Sequence, residues 1–263
     1  MTTTTTTGAI TIAAVGKQYG PAAPFAMQDV SLDVRPGELV AVVGASGCGK
    51  STLLRLVAGF EEASEGTIEV DGEAVRGPSP QRGVVFQDYG LFPWLDVREN
   101  VSYGLRQRRL PRAQVAARTA ELVELVGLTR FIDSFPHQLS GGMQQRVALA
   151  RVLANSPSVL LMDEPFGALD ALTRRQLQDE LVRIRRAVGT TIVLVTHSIE
   201  EAVYLADRVV VMTGGASHGV PGHVQAVVDI DLGAERDTTG ERFNALEREI
   251  SALVHGATAQ VAA

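Results

Sequence analysis

Three observations make the sequence an α/β fold. Four continuous apolar runs, Leu39–Val43, Val159–Met162, Ile192–Val195 and Val209–Met212, suit strands buried on both faces of a parallel sheet. Two alternating stretches, Val30–Val34 and Thr67–Val70, read as antiparallel strands with one wet face. Between about residues 97 and 156 the pattern changes to helix. The prediction is therefore α/β with a helical insertion.

In chain order, residues 1–8 (Met1, six threonines and Gly8) predict a disordered polar tail. With no cation before Lys17, that tail does not read as a secretory signal. Ile10–Val15 and Gly83–Phe86 add further short apolar strands, and Thr52–Ala58 is helical in pattern. Ala113–Val126 is rich in Ala, Leu, Val and Glu, and Gly141–Ala154 follows Ser140, a good N-cap. Leu172–Val188 is a helix whose Arg174, Arg175, Arg183, Arg185 and Arg186 read as a solvated face. Phe243, Leu246, Ile250 and Leu253 mark one stripe of a last amphipathic helix. There is no internal repeat.

Composition narrows the class. The 263 residues are 45% hydrophobic and 21% charged, which excludes wholesale disorder. No apolar run approaches the roughly 18 residues a membrane helix needs. A single cysteine, Cys48, excludes an internal disulfide framework and a cysteine-rich zinc site. The net charge of −6 argues against nucleic acid as a partner, because backbone affinity comes from Lys and Arg clusters. A soluble cytoplasmic protein is the expectation. Lys17 and Lys50 are the only lysines, every other cation being arginine. Lys50 therefore needs a reason of its own.

That reason is a phosphate. Gly44-Ala45-Ser46-Gly47-Cys48-Gly49-Lys50-Ser51 fits G-x-x-x-x-G-K-[ST], between the buried run Leu39–Val43 and the helix beginning near Thr52. Glycines let the loop turn its N–H groups inward, and the helix N-terminus adds positive dipole. Lys50 is a compact charge for β- and γ-phosphates, and Ser51 offers a hydroxyl to Mg²⁺.

Hydrolysis also needs a metal carboxylate and a base. Asp163 and Glu164 end the buried run Val159–Met162, at the strand end where ligands of open α/β sheets sit. Asp163 would hold Mg²⁺ directly or through water, and Glu164 would orient or deprotonate the attacking water. His197 follows Ile192–Val195 and could contact the γ-phosphate, although a lone histidine there is more often structural.

Leu139-Ser140-Gly141-Gly142-Met143-Gln144-Gln145-Arg146 resembles the signature motif of ABC (ATP-binding cassette) ATPases. It stands between the phosphate loop and the Asp163 strand, in the family's order. Gln87, after Val84-Val85-Phe86, resembles the Q-loop, Ala168-Leu169-Asp170 the D-loop, His197 the H-loop, and Tyr19 the aromatic that stacks on adenine. The match covers about residues 10–213. It implies a P-loop NTPase (RecA-like) core with an antiparallel β subdomain over 9–87 and 158–213. A helical signature subdomain would span 88–157, with a short C-terminal extension over 214–263. It also implies a nucleotide site of Tyr19 and Gly44 to Thr52, a Mg²⁺ site of Ser51, Gln87 and Asp163, and a catalytic set of Glu164, His197 and Gln87. In the family two cassettes pack head to tail. Leu139, Ser140, Gly141, Gly142 and Gln144 would then act on the partner's ATP, with Asp170 in the D-loop.

Phe92-Pro93-Trp94-Leu95, Phe135-Pro136-His137-Gln138 and Phe166 to Arg174 are similar to the ATP-binding subunits of nitrate, taurine and aliphatic-sulfonate importers. The short C-terminus resembles theirs and lacks the long extension of maltose-type cassettes. Ser198 departs from the Asp that relatives often carry, and Gly215–Pro221 is irregular. The resemblance implies a peripheral subunit on the cytoplasmic side of the plasma (inner) membrane. It would dock on two transmembrane permease subunits through Gln87–Gly104 and serve an external solute-binding protein indirectly. Two rivals fit less well. A soluble ABC ATPase acting on DNA or ribosomes would carry long coiled coils or two cassettes, and a P-loop kinase would not explain the signature.

Overall fold

The computed structural model describes residues 7–167, 169–215, 219–233 and 236–260. Residues 1–6 of the expected tail, Ala168 of the expected D-loop and 216–218 of the irregular segment lie outside the described residues. In chain order the first half comprises β1 (Ile10–Gln18), β2 (Phe25–Val34), β3 (Leu39–Gly44), α1 (Lys50–Ala58), β4 (Glu65–Val70), β5 (Glu73–Ala74), β6 (Arg82–Val85), α2 (Val97–Gln107) and α3 (Arg112–Leu125). Then follow α4 (Gly141–Leu153), β7 (Val159–Asp163), α5 (Ala171–Val188), β8 (Thr191–Val195), α6 (Ile199–Leu205), β9 (Arg208–Gly215), β10 (Val220–Asp229) and α7 (Glu241–Gln260). The chain forms two compact units: Met1–Ser79 with Thr190–Ala263, and Pro80–Gly189.

In the first unit the strands lie in the order β5-β4-β1-β2-β10-β9-β3-β8. The alternating stretches pair antiparallel, β1 with both β2 and β4, so one face of each stays wet. The continuous runs pair parallel: Val40 of β3 stands opposite Val193 of β8 and Arg208 of β9. Leu39–Val43 are at most 1% exposed, as a strand covered on both faces must be. β10 joins the two kinds of pairing, antiparallel to β9 and parallel to β2 where Gly222 meets Met27. Sequence patterning does not reveal β10, because Pro221 and Gly222 interrupt its apolar alternation. Phe243, Leu246 and Ile250 of α7 are buried, whereas Leu253 is only half-buried. Each of the three contributes about 1.5–3 kcal/mol of burial, fastening α7 to α6 and β9.

In the second unit β6 and β7 run parallel, from Arg82 opposite Val159 to Val85 opposite Met162. α2, α3 and α4 pack on one another, and α4 also meets β6 and α5. α2 starts in a capping box, Asp96 accepting from Glu99 N at 2.7 Å. On α5, Leu177, Leu181 and Ile184 are buried, and Arg183 and Arg186 are exposed as the charge pattern predicts. Arg174 differs: its Nη2 donates to Leu169 O at 2.9 Å.

Candidate functional site

In each unit several of the residues expected to handle a nucleotide leave the C-terminal ends of adjacent parallel strands. In the first unit those strands are β3 and β8. The phosphate loop follows β3 and enters α1 through Gly49, a left-handed N-cap with no side-chain cap hydrogen bond. No side chain therefore caps the start of α1, where the helix dipole favours an anion. The helix begins at Lys50, two residues earlier than its apolar pattern suggests. Lys50 is 9% exposed, and its Nζ donates to Gly44 O at 2.8 Å and Ala45 O at 3.0 Å. The Cys48 side chain is fully buried 3.9 Å from that amine, and burial pushes its thiol pKa up. It fills the turn; it is not a reactive group.

The loop leans on a segment that sequence reading marked only as irregular. Gly215, at the end of β9, has φ +104°, and a Cβ there would stand 2.3 Å from Gly47 O. Only glycine allows β9 to approach the loop so closely. Tyr19 lies just past β1, with its hydroxyl 3.3 Å from Thr52 Oγ1 and Lys17 Nζ 5.1 Å from its ring centre. The adenine-stacking candidate thus stands beside α1, more than half exposed. His197 is exposed two residues past β8.

In the second unit Gln87 follows β6, Asp163 ends β7 and Glu164 comes next, both acids half-buried. Glu164 has φ +46°, a left-handed backbone that non-glycine residues adopt at a cost of order 1–3 kcal/mol. Gly167 serves as a ruler here. A Cβ on it would lie 3.8 Å from Gln87 Nε2 and 4.0 Å from Glu164 Oε2, so the two expected catalytic side chains converge.

The expected signature forms the start of α4. Ser140 is exposed, and its Oγ accepts from Met143 N at 3.3 Å. Gly141 is exposed, while Gly142 is buried where a Cβ would come 2.4 Å from Thr173 Cγ2 on α5. Leu139 is buried. Gln144 turns back, its Nε2 donating to Pro136 O and Leu139 O, so it braces the approach to the helix. Asp170 N-caps α5, and the hydrogen bond from Thr173 N holds its carboxyl below the usual pKa. Trp94 is 70% exposed, its ring centre 5.7 Å from that of Phe92, which in turn lies 4.6 Å from that of Tyr103. What holds that turn escaped sequence reading. Buried Asn100 donates through Nδ2 to Phe92 O, Leu95 O and Asp96 O and accepts from Phe92 N.

This geometry has counterparts among known proteins. The family model for ABC transporters matches residues 27–167. The chain belongs to the ABC transporter family. A taurine import ATP-binding protein of Jannaschia sp. is 52% identical over 187 residues, 71% of this chain and 70% of its own. A nitrate import ATP-binding protein of Synechocystis sp. is 44% identical over 224 residues, 85% of this chain and 82% of its own. Among solved structures, the dimeric post-hydrolysis state of the ATP-binding cassette MJ0796, bound to ADP and Pi, superposes with a TM-score of 0.72. That match is 30% identical and covers 84% of this chain and 99% of the other. The fold is that of an ABC ATPase, and the activity is ATP binding and hydrolysis. Among the described residues no helix is long and apolar enough to cross a membrane.

Proposed function

We propose that this ABC ATPase energises import of a small anionic solute, of the nitrate, sulfonate or taurine class, through a membrane permease. The relatives named for taurine and nitrate import support that reading over a cassette acting on nucleic acid or ribosomes. One observation carries it furthest: a single chain holds two differently built helix starts, α1 behind its lysine-bearing loop and α4 behind exposed Ser140.

Lys50 would exchange Gly44 O and Ala45 O for the β- and γ-phosphate oxygens, while the loop N–H groups and those of α1 receive the rest of the phosphate chain. Tyr19 would stack on adenine. Ser51, Asp163 and Gln87 offer a hydroxyl, a carboxylate and an amide oxygen, hard donors that fit Mg²⁺. Bound Mg²⁺ would supply neutralisation of charge on the β- and γ-phosphate oxygens. Glu164 would take or orient the proton of the attacking water, Gln87 would stand beside it, and His197 would donate to the γ-phosphate. Ser140, Gly141 and Gly142 would cap the ATP of a second copy packed head to tail, with Leu139 and Gln144 holding that helix start and Asp170 lying in the contact. ATP then favours the closed pair, and hydrolysis removes that preference. The assembly would sit peripherally on the cytoplasmic side of the membrane, Phe92, Trp94 and Tyr103 meeting two permease subunits that an external binding protein feeds.

Glu164→Gln tests this. Loss of the base should lower hydrolysis by about 10²–10⁴ while MgATP still binds, and an ATP-dependent dimer should accumulate in light scattering. Hydrolysis at the parental rate would remove Glu164 from the mechanism.

A further inference from the structure

We propose that Thr196 and Glu201 are positioning residues for His197, an inference that rests on the catalytic role proposed for that histidine. Three consecutive residues differ sharply in exposure. Thr196 is 2% exposed, His197 is exposed and Ser198 half-buried. The Thr196 hydroxyl donates to Glu201 Oε2 at 2.6 Å, and Thr196 Oγ1 itself accepts from Ser198 N at 3.0 Å. One hydroxyl used in both directions leaves a β-branched side chain a single rotamer. The Ser198 N–H belongs to the peptide plane that follows His197, so anchoring it fixes the histidine's ψ. On the other side, Thr196 N donates to Val42 O, tying the backbone entering His197 to β3.

Glu201 is the costly part of this arrangement. It is 6% exposed, and a carboxylate is not buried without partners to repay its desolvation. α6 does not need its side chain for a start, because Ser198 already N-caps the helix, Glu201 N donating to Ser198 Oγ at 3.2 Å. The carboxylate is turned instead to Thr196. α6 is itself held at its far end, where Arg236 Nη1 donates to Val203 O at 2.6 Å and Ala206 O at 2.7 Å. α7 packs along the same helix. The imidazole is thus the outward side chain of a turn pinned at both flanks, as a group that must meet a γ-phosphate oxygen requires.

The test is ATPase kinetics of the full chain with Thr196→Val, Thr196→Ser, His197→Ala and the double variant Thr196→Val/His197→Ala. Removing the hydroxyl at constant shape should lower kcat by about 10–10² with KM for ATP unchanged, and Thr196→Ser should recover most of the rate. In the His197→Ala background Thr196→Val should cost nothing further. A multiplied loss there, or a parental kcat for Thr196→Val beside an inactive His197→Ala, would overturn the positioning role. Parental activity in His197→Ala would instead remove the role assigned to the histidine. Glu201→Gln gives a second readout should Thr196→Val not fold. The His197 imidazole resonance, assigned by its loss in His197→Ala, should broaden or split, and an unchanged resonance would overturn the proposal.

Discussion

Two helices in this molecule have glycines at their start, α1 just before its first residue and α4 in its first turn, and they begin differently. α1 enters through Gly49 with no side-chain cap, and its first residue is the buried Lys50. α4 enters through Ser140, whose hydroxyl already satisfies Met143 N, and its first turn carries no charge. The start of α1 has no side-chain cap and a cation aimed at its own loop, so under the proposed function it would take an anion held by its own chain. The start of α4 is partly self-satisfied and exposed, which suits brief contact with an anion that another copy holds. In the proposed function, one capping side chain and one lysine would divide strength and reversibility between the two helix ends.

The comparison breaks most severely at Lys50. Lys50→Ala should lower nucleotide affinity by about 10²-fold or more in titration calorimetry, because it leaves the phosphates facing bare carbonyls. Affinity within threefold of the parent would mean that α1 is not the phosphate end. At α4 the informative change is Ser140→Asp, which keeps an N-cap but sets a negative charge where a phosphate should approach. Thermal stability and ATP binding by the single chain should hold while hydrolysis falls at least about tenfold, roughly the weight of one such charge contact. Unchanged hydrolysis would leave Ser140 as a cap and nothing more.

Away from both helices, buried Asn100 and exposed Trp94 should separate folding from docking. Asn100→Ala removes the side-chain partner of Phe92 N and Leu95 O, while Phe92 O and Asp96 O keep backbone donors, and should cost about 2–4 kcal/mol, read from denaturant midpoints. Trp94→Ala should leave stability and ATP affinity unchanged and weaken co-purification with the permease; unfolding would contradict its exposure. The smallest effect is expected at Cys48. Cys48→Ala should keep ATP affinity within about threefold, and maleimide should react slowly because burial both shields the thiol and disfavours the thiolate. Fast labelling would mean that the loop opens.

Much of the site was legible in the residues because its chemistry demands particular side chains at fixed spacing. Lys50 after Gly49, Asp163 and Glu164 at a strand end, and Ser140-Gly141-Gly142 opening a helix can each be read without coordinates. The supports were not legible, because they come from far along the chain. Gly215 looks like any loop glycine until β9 is laid against Gly47. Asn100 looks like a polar helix residue until its amide is found closing the turn at Phe92 to Asp96. Gln144, grouped by its motif with ligand-facing residues, also donates through Nε2 to Pro136 O and Leu139 O.

By itself the sequence determined which strands lie inside a parallel sheet and which keep a wet face, since period-2 alternation and continuous apolar runs are local consequences of burial. It also determined the start of α4 and the acids at the end of β7, whose meaning follows from residue type and neighbours, and missed the start of α1 by two residues. Tertiary structure decided what no window of residues contains: that β10 closes onto both β9 and β2, that Glu201 is buried facing Thr196, and that Arg236 caps α6. Those are pairings between groups far apart in sequence or hidden within a turn. They stabilise only when burial removes water as the competing partner, and burial belongs to the whole fold.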